Sequence, residues 1–521
     1  MGAKWMNLGQ MLKMNARKYP QTICLMDGQR QFTYPETNRR VCKLANALLG
    51  LGLEPGDRFS VLLENSIEIV ELYLAAAKTG LVINPINFRL TAEDVAYISK
   101  HAEAKAFVVH DQFAETYLKA RDAIGIPSGR QIMVGERGDG FLAYEQLLGS
   151  GEDREPALRV RPEDTWILLY TSGTTGRPKG VLRSHESYVS FYLINAVDFD
   201  FRPGDRVLNV MPLCHVNSTF FTFTFTYVGG TTCVMPALGF DPRRMLQTVA
   251  QAGINFISLI PTHYALILAL GDEELSRYDL SSIKKLLCSS APARVEHKKA
   301  IMKLLPGVQL YEGYGSTEAG IVSVLFPDEQ LTKPCSIGRE SVGTDEVVIL
   351  DGDKRPVPPG EIGELYSRGP MMFDGYLKDP EKTAHSFAGE WFSAGDMAYR
   401  DPEGFLYLVD RKNNLIITGG EHVYPSEVEN ALCSHPAVLD AAVIGVPHEK
   451  WGEAVLAVVI LQQGGAATEQ ELVEFCGGRL ARYKVPKQVR FIPAEEMPRT
   501  STGKILHRVL RQRFAEGRDF R

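Results

Sequence analysis

The chain has 521 residues, of which 45% are apolar, so it can bury a large core and should form at least two domains. Its net charge of −6 is small for this length and argues against a nucleic-acid-binding surface. The eight cysteines are scattered without a C-x-x-C pair or a His/Cys ligand spacing, which favours free thiols in a reducing compartment.

The sequence shows no address that would take the chain out of the cytoplasm. Its N-terminus lacks the long apolar core of a signal peptide, and its last four residues are not a peroxisomal signal. The longest apolar stretches, around residues 72–83 and 220–230, are interrupted or too short to span a bilayer. We therefore expect a cytoplasmic protein with no membrane span.

The first part of the chain alternates helical and strand patterns. Residues 39–49 have a helical pattern, residues 58–63 a strand pattern, and Asn65 or Ser66 could begin a helix that runs to Lys78. Further strand patterns follow at 82–85, 206–210 and 256–260. This alternation predicts an α/β fold with parallel sheets and helices on their faces.

After about residue 340 the pattern changes to short strands separated by Gly/Asp turns, at 346–350 and 360–366. These predict a small antiparallel barrel or sheet. The strand pattern at 405–410 ends in the polar segment 411–414, which is typical of a linker. We therefore predict a large N-terminal domain, 1–410, and a small α+β C-terminal domain, 411–521.

A polar loop follows the apolar run Trp166–Leu169 and reads YTSGTTGRPKG over residues 170–180. Its glycines expose backbone N–H groups, its hydroxyls can donate, and Lys179 supplies charge, as a polyphosphate requires. The loop is not a Walker A motif, because Pro178 replaces the second glycine and Gly180 follows the lysine. A solvated linker is the alternative interpretation, which the preceding strand disfavours.

A second motif, YEGYGSTE, spans residues 311–318. Its glycines would let a flat ligand approach the backbone, Thr317 can donate to a phosphate, and Glu318 can hold Mg²⁺ together with phosphate oxygens. Taken alone, the string could be a tight turn with an exposed carboxylate. Two later segments carry the same kinds of groups: SAGD at 393–396 with Arg411, and PRTSTGKI at 498–505.

These four motifs, in this order, resemble those of the adenylate-forming superfamily, which includes acyl-CoA and aryl-CoA synthetases, adenylation domains of peptide synthetases and beetle luciferases. The resemblance covers nearly the whole chain and implies ATP, Mg²⁺ and coenzyme A as cosubstrates or cofactors. It implies a large domain of stacked α/β sheets with a barrel-like subdomain and a mobile C-terminal domain. A homodimer is a further family-level expectation.

The resemblance also implies roles for individual residues. Lys504 would act in adenylation, where a cation stabilises the charge between a carboxylate and the α-phosphate. Thr317, Glu318 and His215 complete the expected catalytic set, and Glu318 and Thr175 are the expected metal ligands. The expected nucleotide-binding residues are Thr171, Ser172, Gly173, Thr174, Thr175, Gly176, Lys179, Ser290, Ala291, Pro292, Tyr311, Glu312, Gly313, Tyr314, Gly315, Asp396 and Arg411.

Asp396 and Arg411 would bind the ribose hydroxyls; Ala394 stands where the family usually has Thr, which affects only a supporting hydroxyl. For CoA, the resemblance implies a Gly419–Gly420 strand beside the pantetheine tunnel, with Trp451 and Tyr483 near the nucleotide. Val485 replaces an arginine found in some aryl-CoA ligases, so Lys484 and Lys487 are both candidates for the CoA phosphate. The expected hinge residue is Asn413.

The segment from Met211 to Ser218 resembles the family's gate over the acyl carboxylate, with His215 as the gate or, alternatively, a core histidine. No aspartate occurs between Pro212 and Thr226 to pair with an α-amino group, which favours a plain monocarboxylic acid. The apolar run 220–227 reads as core packing, part of which could line an acyl pocket.

The expected reaction therefore forms an acyl-adenylate and then an acyl-CoA thioester, from a medium-chain, alicyclic or aromatic acid. Three alternatives stay open: transfer to a carrier protein, oxidative chemistry of the luciferase kind, and a non-catalytic acyl-nucleotide-binding protein. The last would be expected to have lost Lys504 or Glu318, and the sequence contains both.

Overall fold

The computed structural model describes residues 6–136, 138–171, 177–290, 293–499 and 505–515. These divide into two compact units. One contains the described residues up to Val347 together with Ser367–Phe392, and the other contains Val348–Tyr366 together with the described residues from Ser393 onward. The expected boundary after residue 410 stays a prediction.

The strands, in chain order, are β1 Ile23–Met26, β2 Gln31–Thr33, β3 Arg58–Leu62, β4 Val82–Pro85, β5 Ala106–His110, β6 Gln131–Val134, β7 Leu142–Ala143, β8 Thr165–Thr171, β9 Lys179–Ser184, β10 Arg206–Asn209, β11 Thr231–Val234, β12 Phe256–Leu259, β13 Lys285–Ser289, β14 Gln309–Ser316, β15 Gly320–Leu325, β16 Arg339–Glu340, β17 Val348–Leu350, β18 Gly363–Tyr366, β19 Gly375–Tyr376, β20 Phe387–Ala388, β21 Trp391–Phe392, β22 Asp396–Arg400, β23 Leu406–Arg411, β24 Ile416–Thr418, β25 Glu421–Val423, β26 Val438–His448, β27 Gly452–Leu461 and β28 Gln488–Phe491.

The α-helices are α1 Leu8–Lys18, α2 Tyr34–Gly50, α3 Ile67–Thr79, α4 Ala92–His101, α5 Ala114–Ile124, α6 Tyr144–Ser150, α7 His185–Asp198, α8 Val216–Val228, α9 Pro242–Ala252, α10 Pro261–Leu268, α11 Gly271–Leu275, α12 Val295–Leu304, α13 Pro380–His385, α14 Pro425–Cys433, α15 Glu469–Gly477 and α16 His507–Ala515.

The first unit contains two large mixed sheets. One has the order β16-β15-β14-β13-β12-β10-β11-β1-β2 and the other β19-β9-β8-β4-β3-β5-β6-β7. A single apolar core includes side chains from both sheets and from helices α2, α3, α7 and α8. The prediction of stacked α/β sheets is confirmed.

Helix α3 shows how the sequence sets this core. Ser66 caps its N-terminus by accepting a hydrogen bond from the N–H of Ile69, and Glu68 lies in the first turn. The helix ends at Gly80, whose φ of 72° suits glycine. Every residue of α3 is buried, which agrees with its nearly continuous apolar sequence.

The second unit contains an antiparallel sheet, β17-β18-β22-β23, and a second sheet with the order β25-β24-β27-β26, in which β28 pairs with β27. The first of these is the small sheet expected after residue 340. Its last strand runs through Arg411, so the expected linker begins one residue later, as the short 3-10 turn Lys412–Asn414. Backbone pairing with β22 holds Arg411 in the sheet.

Candidate active site

The loop expected to bind phosphate, here called the phosphate loop, lies between two antiparallel strands of the first unit. Strand β8 ends at Thr171 and β9 begins at Lys179, and these two residues are partners in the register. Residues Ser172, Gly173, Thr174, Thr175 and Gly176 lie outside the described part of the chain, and their expected roles stay predictions. The flanking strands fix the two ends of the loop, and Lys179 is the first residue of the strand that follows it.

Lys179 contacts the second motif directly. Its Nζ atom lies 2.8 Å from Oε1 of Glu318, which follows β14 and is 6% exposed. Tyr376 completes this cluster: its hydroxyl accepts a hydrogen bond from Lys179 Nζ at 2.6 Å and donates one to Glu318 Oε1 at 2.9 Å. The structure therefore brings the loop lysine and the motif carboxylate together, around a tyrosine that the sequence analysis missed.

The backbone at Thr317 is held by a buried arginine. Arg183, on β9, is fully buried and donates from Nη1 to the carbonyl oxygen of Thr317 at 2.6 Å. Its guanidinium also lies over the rings of Tyr188 and Phe220. Burial lowers the pKa of Arg183, although the group stays charged because its ordinary pKa is so high. Arg183 thus fixes the backbone at Thr317.

The motif strand β14 pairs with β13 in parallel and with β15 antiparallel. At Gly315 a Cβ atom would lie 2.1 Å from the carbonyl oxygen of Gly320, so close strand packing requires a glycine there. At Gly313 a Cβ would make only ordinary contacts. Tyr311 is buried, and Tyr314 is partly exposed. The Gly-rich part of the motif is therefore strand and not a tight turn; the chain turns only at residues 317–319, where Glu318 is buried and not exposed.

Glu312 ties this strand to the segment after β13. Its carboxylate forms a buried ion pair with Lys298 and accepts a hydrogen bond from the N–H of Ala293 at 3.0 Å. Burial raises the pKa of Glu312, and Lys298 opposes that rise. Ser290 adopts a left-handed backbone conformation with φ of 70°. Ala291 and Pro292 lie outside the described residues, so their expected adenine contacts stay predictions.

His215 precedes helix α8 as its N-cap residue and is partly buried. The segment before it is fixed by Asn65, whose side chain donates to the carbonyl of Met211 at 2.9 Å and accepts from the N–H of Leu213 at 2.8 Å. Asn217, two residues after His215, bonds to Ser289 and Ser258 at the ends of β13 and β12. The residue two positions after His215 therefore contacts Ser289, which immediately precedes the segment expected to bind adenine.

The rings of the run 220–227 are buried in the core. Phe220 stacks on Phe191 with ring centroids 3.6 Å apart, and Phe225 stacks on Phe256 at 5.6 Å. The buried rings agree with the interpretation of this run as core packing. An acyl pocket formed by part of the run stays a prediction.

In the second unit, Asp396 and Arg411 are register partners of β22 and β23. Arg411 Nε lies 2.6 Å from Asp396 Oδ1, and Arg411 Nη1 donates to the carbonyl of Ala394 at 2.8 Å. Ala394 thus contributes through its backbone, which a threonine would also supply. The sheet presents a buried carboxylate beside a half-exposed guanidinium.

Gly419 and Gly420 form the two-residue turn of the hairpin β24–β25, and both have positive φ, 60° and 86°. Trp451 accepts a backbone hydrogen bond from Gly419 at 2.8 Å, and its ring stacks on His448 at 4.2 Å. Tyr483 is 37% exposed. The turn and Trp451 are therefore neighbours in the second unit.

The two lysines considered for the CoA phosphate differ in their surroundings. Lys484 Nζ contacts both carboxylate oxygens of Glu427, at 2.6 and 2.9 Å. Lys487 Nζ instead lies 5.2 Å from the centre of the Trp451 ring. Lys487 is thus the lysine beside Trp451, the side chain expected near the CoA nucleotide. Lys504 lies outside the described residues.

The segment that contains Asn413, the expected hinge residue, is hydrogen-bonded to α16. Arg511, on α16, donates to the carbonyls of Asn413 at 2.9 Å and Asn414 at 2.6 Å.

No group of three or more His, Cys, Asp or Glu residues suited to a metal occurs in the described ranges. A search of the same residues finds no helix that is both long and apolar enough to cross a bilayer.

Two family models match the chain: AMP-binding enzyme over residues 12–377, and AMP-binding enzyme C-terminal domain over 427–504. Feruloyl-CoA synthase from Amycolatopsis sp is 36% identical over 97% of this chain and 99% of its own length. Long-chain-fatty-acid–CoA ligase FadD13 from Mycobacterium tuberculosis is 34% identical over 98% and 99%.

Among solved structures, the anthranilate CoA ligase AuaEII in complex with anthranoyl-AMP is 28% identical and covers 98% of this chain and 97% of that chain, with a TM-score of 0.88. The likeness covers nearly the whole of this chain. The chain is therefore an enzyme of the AMP-binding family, the adenylate-forming superfamily, among relatives named as acid–CoA ligases.

Proposed function

We propose that this enzyme uses ATP to convert a monocarboxylic acid to its CoA thioester, releasing AMP and pyrophosphate. The observation that carries the proposal is the contact between Lys179 and Glu318, which joins the phosphate-loop strand to the Thr-Glu motif. A lysine and a buried carboxylate at one point can serve a polyphosphate and its cation. The acid–CoA ligase names of the relatives support the same reaction.

In the first step, a carboxylate oxygen of the acid attacks the α-phosphorus of ATP, and the bond to the β-phosphate bridge breaks. Pyrophosphate leaves, held by the hydroxyls and N–H groups of residues 171–176 and by Lys179. Lys504 stabilises the charge between carboxylate and α-phosphate. Asp396 and Arg411 hold the ribose, and the segment 290–292 lies along the adenine.

In the second step, the CoA thiolate attacks the acyl carbon, and AMP leaves as the bond to its phosphate oxygen breaks. Adenylation is needed because a free carboxylate is a poor electrophile. The C-terminal domain would turn about Asn413, withdraw Lys504 and present Gly419 and Gly420 beside the pantetheine arm. His215 would act as the gate over the acyl carboxylate.

Magnesium fits this site as a partly protein-bound ion. Mg²⁺ is commonly held by one or two carboxylates together with substrate phosphates, so Glu318 with the hydroxyl of Thr175 would suffice. The ion would neutralise charge on the phosphates. Lys179 and Tyr376 both contact Oε1 of Glu318, so the cation would share this carboxylate with Lys179 or take the lysine's place on it.

We propose a medium-chain, alicyclic or aromatic monocarboxylate as the substrate. The segment from Pro212 to Thr226 has no acidic side chain to pair with a substrate ammonium, and its helix is lined with aromatic and threonine residues. A buried unpaired charge would be costly, so an α-amino acid should be a poor substrate.

The test is a panel of acids incubated with Mg·ATP and CoA and scored by AMP release. The panel contains ferulate-like and benzoate-like acids, alicyclic acids, C6 to C18 fatty acids, acetate, succinate and α-amino acids. We expect CoA-dependent AMP release with one aromatic, alicyclic or medium-chain class. Thioester formation on a phosphopantetheinylated carrier but not on CoA, or light or oxygen uptake from an acyl-adenylate, would overturn the proposal in favour of a carrier ligase or an oxidative enzyme.

A further inference from the structure

Tyr376 lies between the two charged groups of the first-unit site. Its hydroxyl accepts from Lys179 Nζ at 2.6 Å and donates to Glu318 Oε1 at 2.9 Å, while Lys179 Nζ lies 2.8 Å from the same Oε1 atom. The ammonium also lies 4.1 Å from the centre of the tyrosine ring. The tyrosine is only 5% exposed. Lys179, Glu318 and Tyr376 therefore form one closed triangle of contacts, here called the phosphate triad.

The backbone around Tyr376 is tied to both motifs. Strand β19 pairs with β9, so Tyr376 lies opposite Val181, and the N–H of Leu377 donates to the carbonyl of Gly180 at 2.8 Å. On the other side, the N–H of Phe373 donates to the carbonyl of Glu318 at 2.7 Å. Residues 373–377 thus connect the strand after the phosphate loop with the Thr-Glu motif.

The tyrosine is also fixed from its own side. Its N–H donates to Oγ1 of Thr383 at 2.9 Å, and its ring packs against Phe373 with centroids 4.9 Å apart. Burial raises the pKa of the Tyr376 hydroxyl, and the carboxylate of Glu318 raises it further. The hydroxyl therefore keeps its proton and stays a donor to Glu318 at neutral pH.

We propose that Tyr376 is a positioning residue for adenylation, whose hydroxyl holds Lys179 and Glu318 in place and lets them separate when Mg·ATP binds. This inference rests on the proposed ligase function. Without nucleotide, Lys179 and Glu318 are each other's counter-ions. With Mg·ATP, the phosphates attract the lysine and the cation attracts the carboxylate, so we expect their direct contact to open.

A neutral hydroxyl that accepts from one partner and donates to the other is suited to this exchange. It keeps a hydrogen bond to each charged group while the ion pair opens, so neither group is left unpaired in a buried site. A phenylalanine would keep the ring and the packing but would leave Lys179 and Glu318 dependent on each other. Mg·ATP would then compete against a tighter ion pair.

The experiment compares Tyr376→Phe with the wild-type enzyme in both half-reactions. Adenylation is measured by acid-dependent exchange of labelled pyrophosphate into ATP over a range of Mg·ATP concentrations. Thioester formation is measured from supplied acyl-adenylate and CoA, a step that needs no β- or γ-phosphate. We expect the KM for Mg·ATP in exchange to rise about tenfold or more, since a hydrogen bond to a charged group is lost. The KM for the acid and the rate from acyl-adenylate should stay near wild type.

Tyr278→Phe is the matched control, because Tyr278, which follows helix α11, also donates to a glutamate, Glu274, at 3.1 Å, but outside the triad. It should leave both half-reactions unchanged. A second pair of variants tests the coupling: in a Lys179→Met background, Tyr376→Phe should add little, because the exchange it assists has already been lost.

Three results would overturn the inference. One is an unchanged KM for Mg·ATP in Tyr376→Phe; another is an equal loss in both half-reactions, which would indicate a purely structural role. The last is a full additional loss in the Lys179→Met background. If the wild-type enzyme itself shows no acid-dependent exchange with any acid, the proposed function fails instead, and this outcome is distinct from the other three.

Discussion

Arg411 lies opposite Asp396 in the register of β22 and β23, and its Nε atom is 2.6 Å from Asp396 Oδ1. Their separation of fifteen residues is the length of one hairpin: a strand, a turn and the returning strand. Two residues that are fifteen positions apart in the sequence are therefore direct cross-strand neighbours. The ion pair holds the carboxylate in one orientation before any nucleotide arrives.

Asp396→Ala should raise the KM for ATP by about tenfold to a hundredfold, because hydrogen bonds from the ribose hydroxyls to a charged acceptor are lost. Its sharper signature is discrimination between nucleotides. Wild-type enzyme should prefer ATP over 2′-deoxy-ATP or 3′-deoxy-ATP, whereas the variant should treat ATP and at least one of these analogues alike. Kinetics with the three nucleotides measure this preference.

Glu361→Gln, an exposed carboxylate of the same unit, is the control and should keep the wild-type preference. If Asp396→Ala discriminates against both deoxy analogues as strongly as the wild-type enzyme does, Asp396 does not contact the ribose.

The separations along the chain explain what the sequence could predict. Helix α3 and strands β3 and β4 follow from apolar periodicity and an N-cap serine, which are local signals. The motif residues were found because they are contiguous strings. Tyr376 carries no such signal: its contact with Lys179 joins residues 197 positions apart and depends on β19 pairing with β9.

The same reasoning applies to Arg183, Lys298 and Asn65. Each supports a motif or gate-segment residue through a contact with another part of the chain, and none of the three carries a sequence signal for that contact; the sequence indicates Asn65 only as a possible helix start. Gly419 and Gly420 are a different case. The sequence suggests that they line a tunnel, but the hairpin turn is itself a sufficient reason for glycine at both positions. Both glycines have the positive φ that a two-residue hairpin turn needs.

Lys504→Ala should abolish acyl-adenylate formation while sparing thioester formation from supplied acyl-adenylate. The ammonium is proposed to act only on the charge that develops at the α-phosphate. Exchange of labelled pyrophosphate reports the first step, and CoA-dependent release of AMP from acyl-adenylate reports the second. An equal loss of both steps would remove this role from Lys504. Lys303→Ala, on α12 of the other unit, serves as the control for a general change of charge.

Gly420→Leu should give the reverse pattern, with adenylation preserved and thioester formation strongly reduced, because the new side chain would obstruct the pantetheine path. The substitution also strains the turn, since Gly420 has φ of 86°. Gly464→Leu controls for this strain: Gly464 has φ of 76° and open space around its Cα. If CoA transfer is unimpaired in Gly420→Leu, or equally impaired in Gly464→Leu, the tunnel assignment is wrong.

Lys487→Ala should raise the KM for CoA about tenfold, whereas Lys484→Ala should change it much less, because Lys484 is already paired with Glu427. Lys487 lies over Trp451, which is expected to lie near the CoA nucleotide. Dephospho-CoA, which lacks the 3′-phosphate, distinguishes the role: with this substrate, wild type and Lys487→Ala should have similar KM values. A tenfold difference that persists with dephospho-CoA would contradict a contact to that phosphate.

The docking of α16 should depend on pH through His507. Its Nε2 atom lies 2.7 Å from Glu429 Oε1. Burial acts to lower the pKa of His507, but the hydrogen bond and charge of Glu429 raise it to a net value above the ordinary one. Because the folded-state pKa is raised, the stabilisation is fully present below the unfolded pKa, about 6.5, and is lost as pH rises through the folded value.

We therefore expect amide hydrogen exchange in α16, corrected for the intrinsic effect of pH, to become faster in the wild-type enzyme as the pH rises from about 6 through the folded pKa of His507. His507→Gln cannot hold a charge, so its α16 should exchange faster at pH 6 and show little further change. His385→Gln, which replaces an exposed histidine on α13, should behave like wild type.

Since Arg511 on α16 donates to the carbonyls of Asn413 and Asn414, loosening of α16 should also release the expected hinge segment. Wild-type exchange in α16 that stays constant over this range would show that the His507–Glu429 pair does not control its docking.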